Sequence, residues 1–158
     1  MKKRLSRAEN LVEEEPVRVL VIDDEPDILL LCRVNLGFAG HEVLEAPDGE
    51  RGMELALRSR PDLIVLDVML PELDGLSVLR MLRKRPETSQ TPVVLLTARA
   101  QLADQTRGWE AGCAEYVTKP FSPTELTSIV ARAREMTPQD RRRRRDQALA
   151  DLARASNF

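Results

Sequence analysis

The sequence predicts an α/β domain in which five parallel strands form a doubly wound sheet with helices on both faces. Short apolar runs that end in acidic or hydroxyl residues recur along the chain, which is typical of buried parallel strands. Between them lie segments with apolar residues at three- and four-residue spacing, which is typical of amphipathic helices. With 158 residues, 42% of them hydrophobic and 32% charged, the chain can build one hydrophobic core.

Five predicted strands follow one another at regular spacing. The first ends abruptly in an acidic run, and the third, fourth and fifth are also followed by polar side chains. The second is weaker, and it is bounded by a glycine before it and a Pro-Asp-Gly turn after it. In chain order the predicted strands cover residues 17–22, 41–46, 63–66, 93–96 and 116–117.

The segments between the strands have helical periodicity and end signals that agree with it. Asp48, Asp74 and Ser122 are suited to N-cap positions, and Gly37 and Gly112 to the C-terminal ends of helices. In chain order the predicted helices cover residues 28–36, 49–58, 76–84, 102–111 and 123–134.

Polar side chains at the strand ends point to a functional site. In an open doubly wound sheet, ligands bind outside the carboxyl ends of the strands. We therefore expect five residues that are far apart in sequence to meet on one rim. They are Asp23, Asp24, Asp67, Thr97 and Lys119.

Three carboxylates held close together repel one another, so this rim either protonates one of them or binds a cation. Mg²⁺ prefers oxygen ligands and keeps several waters, which suits an open rim lined by Asp23, Asp24 and Asp67. A shielded carboxylate can attack phosphorus while Lys119 and Thr97 neutralise the phosphoryl oxygens. Simpler interpretations stay open, because the first two acids can cap a helix and the hydroxyl can be an ordinary strand-end residue.

Four segments, in this order and spacing, resemble the motifs of response-regulator receiver domains: VIDDE at residues 21–25, DVMLPELDG at 67–75, TA at 97–98 and YVTKPF at 116–121. The resemblance covers about residues 17–135 and implies a flavodoxin-like sheet of strand order 2-1-3-4-5. It also implies a switch that supports its own phosphorylation and dephosphorylation, rather than an enzyme acting on other substrates.

By this resemblance Asp67 is the phosphoacceptor and takes part in binding Mg²⁺. Asp24 is implied to be a direct ligand of the metal, Asp23 a ligand through water, and Met69 a ligand through its backbone carbonyl. Lys119 is implied to contact the phosphoryl group, and the peptide bond that follows it is implied to be cis.

The resemblance also implies a conformational switch. Thr97, with the backbone N–H of Ala98, is expected to contact the phosphoryl group, and Tyr116 is expected to swing inward when Thr97 moves. The switched surface is then the fourth helix, the fifth strand and the fifth helix. Met69 and Arg99 flank the site and are expected to tune the lifetime of the phosphate, and the single tryptophan, in the fourth helix, is expected to serve packing.

The implied phosphodonor is a histidine kinase or a phosphotransfer protein, and the implied output is binding to a downstream protein or a phosphorylation-dependent homodimer. A Mg²⁺-dependent phosphohydrolase is the competing class, but its acids would form an Asp-x-Asp motif after one strand. No apolar run approaches the roughly 20 residues that a bilayer requires, and no signal peptide is evident, so a cytoplasmic protein without membrane contact is expected. Cys32, Cys113 and His41 lack metal-ligand spacing, and the two cysteines are expected to be buried.

Two segments lie outside the predicted receiver. Residues 1–16 are expected to form a flexible tail, and residues 136–158 a basic, partly helical, solvated tail that can fold back on the receiver or dock on a partner. Residues 136–158 hold six Arg and three Asp, a net charge of +3, whereas residues 17–135 hold 14 basic and 19 acidic residues, a net charge of −5. This balance disfavours DNA binding, although a nucleic-acid-associated regulator acting through Arg141 to Arg145 stays open as the alternative.

Overall fold

The computed structural model describes residues 16–157, and the predicted flexible tail at 1–16 lies almost entirely outside them. Within this part of the chain, five parallel strands form one sheet in the order β2-β1-β3-β4-β5. The predicted α/β class and strand order are therefore confirmed. The strands are β1 Arg18–Ile22, β2 Glu42–Ala46, β3 Leu63–Leu66, β4 Val93–Thr97 and β5 Glu115–Thr118.

Helices cover both faces of the sheet. The side chains of β1 explain why, since Leu20 and Ile22 point into one hydrophobic cluster while Val19 and Val21 point into another. This alternation buries both faces of a central strand, as is usual in a parallel sheet. The helices are α1 Pro26–Phe38, α2 Gly49–Ser59, α3 Gly75–Lys84, α4 Leu102–Glu110, α5 Pro123–Glu135 and α6 Pro138–Ala155.

The three predicted N-caps form as expected. The side chains of Asp48, Asp74 and Ser122 each accept a hydrogen bond from a backbone N–H three residues further on, over 2.8, 3.0 and 3.0 Å respectively. Such caps satisfy backbone donors that have no partner within the helix. The caps fix where α2, α3 and α5 begin.

Gly37 lies in the last turn of α1, as predicted, although α1 continues to Phe38 and is capped by Ala39. The left-handed residue that ends this helical segment is Gly40, with φ of 93°. Gly112, with φ of 102°, follows α4 and its cap residue as predicted. Glycine suits both positions because a Cβ is strained at positive φ.

The segment at 136–158 is mostly one long helix, α6, which packs against α4. Thr137 and Asp140 form a capping box at its start, with each side chain accepting a hydrogen bond from the other residue's backbone N–H. Ala148 is buried in the core cluster that includes Trp109, and Leu149 and Leu152 pack against the same cluster. The burial of Trp109 confirms its predicted packing role. None of the helices within 16–157 is long and apolar enough to cross a membrane.

Candidate functional site

Two buried aspartates and one lysine meet at the carboxyl end of the sheet. Asp23 follows β1, Asp67 follows β3 and Lys119 follows β5, and both carboxylates are almost fully buried, with 2% and 3% of their surface exposed. Strand order explains the meeting, because β1 lies beside β3 and only β4 separates β3 from β5. The expected rim therefore exists for these three residues.

Lys119 joins the two aspartates. Its Nζ donates hydrogen bonds to Oδ2 of Asp23 over 2.9 Å and to Oδ2 of Asp67 over 3.0 Å, and it lies 3.5 Å from Oε1 of Glu25. The lysine follows the fifth strand and precedes a cis peptide bond to Pro120, as the family resemblance implied. One cation thus sits among three acids.

Burial controls the protonation of this cluster. It raises the pKa of Asp23 above its ordinary value, and although hydrogen bonds from the Glu25 backbone and from Lys119 oppose this, the negative charge of Asp67 adds to it. Burial lowers the pKa of Lys119, but its hydrogen bonds and charge interactions with Asp23 and Asp67 outweigh burial, and the net pKa is raised. The lysine therefore stays charged at neutral pH.

The structure adds one acid to the predicted set. Carboxylate oxygens of Asp23, Glu25 and Asp67 all lie within 4.8 Å of one another, a spacing that can hold a metal ion. Asp24 is exposed and is not in this cluster, so its ligand role stays a prediction. Glu25 was overlooked although it stands in the quoted acidic run, because sequence alone does not show that the backbone turns here.

The backbone turn after Asp23 also determines which residue precedes α1. The N-cap of α1 is Glu25, which makes no side-chain cap, and Pro26 occupies the first turn. Asp23 accepts a hydrogen bond from the backbone N–H of Glu25 over 2.9 Å, which holds its carboxylate toward the cluster. The simpler interpretation of Asp23 and Asp24 as caps of this helix is therefore wrong.

The loop after Asp67 is held tightly against it. Oδ1 of Asp67 accepts a hydrogen bond from the backbone N–H of Met69 over 3.0 Å, which leaves Oδ2 for Lys119. Gly75 donates to the carbonyl of Val68 over 2.9 Å, and a Cβ on Gly75 would lie only 2.0 Å from the carbonyl oxygen of Asp67. The start of α3 can approach the strand end only because this residue is glycine.

Thr97 and Tyr116 are linked through one residue. Oγ1 of the buried Thr97 accepts a hydrogen bond from the backbone N–H of Arg99 over 3.2 Å, and the hydroxyl of Tyr116 donates to the carbonyl of Arg99 over 2.7 Å. The Tyr116 ring lies over Gly108 of α4, where a Cβ would come within 2.8 Å of Cδ2. Burial, together with the charge of Asp104, raises the pKa of Tyr116 to about 12.

Helix α6 is attached to α4 and β5 through one of its arginines. The guanidinium of Arg144 stacks over the ring of Trp109 in α4, 4.9 Å from its centroid. The same group forms two hydrogen bonds with Glu115 of β5, over 2.8 and 3.2 Å. One arginine thus ties α6 to α4 and β5.

A scan of protein families matches the response regulator receiver domain at residues 19–131, which is most of the chain. In structure, the chain is similar to the receiver domain of a sensor histidine kinase from Pseudomonas aeruginosa PAO1, whose active site cleft coordinates a magnesium ion. The TM-score is 0.72 and the identity 31%, and the match covers 77% of this chain and 100% of that one.

Curated relatives correct one expectation. The chain is 44% identical over 113 residues to the DNA-binding dual master transcriptional regulator RpaA of Synechocystis sp. and to the alkaline phosphatase synthesis transcriptional regulatory protein PhoP of Bacillus subtilis. Each match covers 72% of this chain but only 47% and 46% of the relative, so the chain spans about half their length. Our expectation that DNA binding is unlikely was wrong, because these relatives are transcriptional regulators and RpaA is a DNA-binding one. The chain belongs to the response regulator receiver domain family of two-component signalling.

Proposed function

We propose that this receiver accepts a phosphoryl group on Asp67 and that phosphorylation switches the surface formed by α4, β5 and α5. The observation that supports it best is the setting of the Asp67 carboxylate, which is buried, hydrogen-bonded to a backbone N–H at one oxygen and paired with Lys119 at the other. An aspartate held in this way is oriented for attack by one oxygen.

The acidic cluster fits Mg²⁺, which takes oxygen ligands and tolerates an open site. Asp23 and Asp67 would hold the ion, with Glu25 beside them, and the family resemblance adds Asp24 and the backbone carbonyl of Met69. Once bound, the ion shields the negative charges that carboxylate and phosphoryl oxygens bring together.

A histidine kinase or phosphotransfer protein would supply the phosphoryl group. Oδ of Asp67 attacks phosphorus, a P–O bond forms, and the P–N bond to the donor histidine breaks. Lys119 can pair with a phosphoryl oxygen, and the Thr97 hydroxyl can donate to another. The protein is a signalling switch in this account, and its chemistry is confined to its own phosphorylation and dephosphorylation.

The hydrogen bonds through Arg99 provide a route from the site to the surface. If the Thr97 hydroxyl turns toward a phosphoryl oxygen, the Arg99 N–H loses its acceptor, and the Arg99 carbonyl that accepts from Tyr116 is free to shift. Tyr116 contacts α4 at Gly108, so a change in its position alters the packing of α4 against β5. Phosphorylation then shifts the population between two arrangements of this surface.

For the whole protein we propose control of transcription as the output, because the relatives named above are transcriptional regulators. Chromatin immunoprecipitation of the tagged protein from its own organism tests this output. Enrichment of promoter DNA that falls in Asp67→Asn supports it, and no enrichment under conditions that phosphorylate the protein contradicts it.

Intact mass spectrometry tests the phosphoacceptor. Incubation with Mg²⁺ and a small phosphodonor should add one phosphoryl group to the parent protein and none to Asp67→Asn. Asp27→Asn is a matched control, because Asp27 is an exposed acid in the first turn of α1. Equal labelling of Asp67→Asn and the parent would contradict the assignment.

A further inference from the structure

Four arginines line one pocket at the base of α6. They border a cavity of about 240 Å³ and are Arg83 of α3 and Arg141, Arg142 and Arg145 of α6. The other residues that line the cavity are all uncharged. Among the residues that the structure describes, none of these four guanidinium groups forms an ion pair with a carboxylate. The pocket therefore concentrates positive charge without a counter-ion from the described part of the chain.

Other arginines of α6 behave differently. Arg143 lies near Asp140, Arg144 pairs with Glu115 and Arg154 pairs with Asp151. The helix thus divides its basic residues into a group that is neutralised within the protein and a group that faces the pocket.

Some N–H groups of the pocket arginines donate no hydrogen bond to the described residues. Arg83 donates only to backbone carbonyls, including those of Gly112 and Thr91 over 2.8 Å each. Arg141 donates to the carbonyl of Gln90 over 2.6 Å, and Arg145 donates weakly to that of Glu110 over 3.4 Å. The Nε atoms of Arg141 and Arg145 are buried and have no hydrogen-bond partner among residues 16–157.

Buried donors without partners are rare and costly in native proteins. Burial, together with the positive charge of Arg141, lowers the pKa of Arg83 to about 10. Repulsion among the guanidinium groups and their incomplete hydration destabilise the pocket, and a bound anion would relieve both.

The pocket is separate from the phosphorylation site. Its loop residues Gln90 and Gly112 precede β4 and β5, so they lie at the amino ends of these parallel strands. Asp67 and Lys119 follow their strands, at the opposite end of the sheet. A ligand in the pocket would therefore not compete with a phosphoryl group on Asp67.

We propose that this pocket binds a compact phosphate-type oxyanion carrying more than one negative charge, such as a pyrophosphate group. Guanidinium groups recognise phosphate oxygens through paired, charge-assisted hydrogen bonds, and four arginines line this cavity. At about 240 Å³ the cavity is smaller than a pocket for a drug-sized ligand, and it suits a small discrete anion better than the long backbone of a nucleic acid. This binding goes beyond the proposed phosphorylation switch and does not depend on it.

Calorimetry with pyrophosphate tests the proposal on the full chain, in the presence of a chelator and at constant ionic strength, with inorganic phosphate as a second probe. We expect saturable binding at one site, with pyrophosphate bound more tightly than phosphate. Arg142→Gln should weaken it about tenfold, because one charge-assisted contact is removed. Arg142 is exposed and has no hydrogen bond or ion pair with the described residues, so we expect this substitution to leave the fold intact, which Trp109 emission checks.

Arg143→Gln is the matched control, since it removes the same charge from the same helix outside the pocket. Unchanged pyrophosphate affinity in this variant supports a specific binding site formed by the arginines that line the pocket. Equal weakening in both variants would overturn the proposal, because the effect would then follow net charge alone. Absence of saturable binding at millimolar pyrophosphate would also overturn it. Displacement of pyrophosphate by duplex DNA in the parent but not in Arg142→Gln would assign the pocket to a nucleic acid instead.

Discussion

Lys119 and Asp67 form a buried ion pair of 3.0 Å that joins the end of β5 to the end of β3. The same lysine holds Asp23 over 2.9 Å, so its removal leaves two buried carboxylates without a cation. We expect Lys119→Met to lower the free energy of unfolding of the metal-free protein by about 3 kcal/mol. We also expect Mg²⁺ to restore more stability to this variant than to the parent, because the lysine no longer competes for the same charges. Denaturant titrations with and without Mg²⁺ measure both effects.

Asp24→Asn is the control for this experiment. Asp24 is exposed and makes no hydrogen bond or ion pair with the residues that the structure describes, so the metal-free stability should be unchanged. If Asp24 is a Mg²⁺ ligand, the stabilisation by Mg²⁺ should fall in this variant. Equal loss of metal-free stability in Lys119→Met and Asp24→Asn would contradict the role we give to the buried lysine.

Two glycines should respond in opposite ways to alanine. A Cβ at Gly75 would lie 2.0 Å from the Asp67 carbonyl oxygen and 2.7 Å from Cα of Val68, so Gly75→Ala should displace the loop and destabilise the fold by about 2 kcal/mol or more. Gly37 lies within α1 with open space around it, so Gly37→Ala should stabilise the protein by about 0.5–1 kcal/mol. Denaturant unfolding measures both, and a stable Gly75→Ala protein that phosphorylates normally would contradict the close approach.

Tyr116 is the single tyrosine of the chain, so a spectrophotometric titration of tyrosinate reports on it alone. The raised pKa predicts a midpoint near 12 in the folded protein and near 10 after unfolding. Because the folded pKa is the higher one, the neutral phenol favours folding. Its contribution to stability is complete below pH 10 and is lost as the pH rises toward 12. A midpoint near 10 in the folded protein would show that the hydroxyl faces water.

Much of the site was predictable because the end of a buried strand can be recognised in the sequence as a polar residue that follows an apolar run. Asp67 and Thr97 follow buried apolar runs, and the geometry of a parallel sheet brings such ends together. The inclusion of Glu25 depends on a backbone turn after Asp23 that sequence patterns do not specify. The docking of α6 was also not predictable from the sequence, because the helix has few apolar residues on one face and Arg144 meets its partners only in the folded domain.

The last prediction concerns the attachment of α6 through Arg144. Its bidentate contact with Glu115 and its stacking on Trp109 are partly exposed, so we expect them to contribute about 1 kcal/mol to the docking of the helix. Arg144→Ala should therefore increase hydrogen exchange along α6 and change the emission of Trp109, the single tryptophan of the chain. A double-mutant cycle with Glu115→Ala isolates the energy of the ion pair from that of the stacking.

Arg143→Ala is the control, because Arg143 is exposed on the same helix and should change stability by less than about 0.5 kcal/mol. The docked helix contacts α4 and β5, two of the three elements in the proposed switched surface. Phosphorylation that moves α4 should then loosen α6, and exchange along α6 should rise in the phosphorylated parent toward the level of unphosphorylated Arg144→Ala. Unchanged exchange in the fully phosphorylated protein would mean that α6 is a fixed part of the fold and that the output surface lies elsewhere.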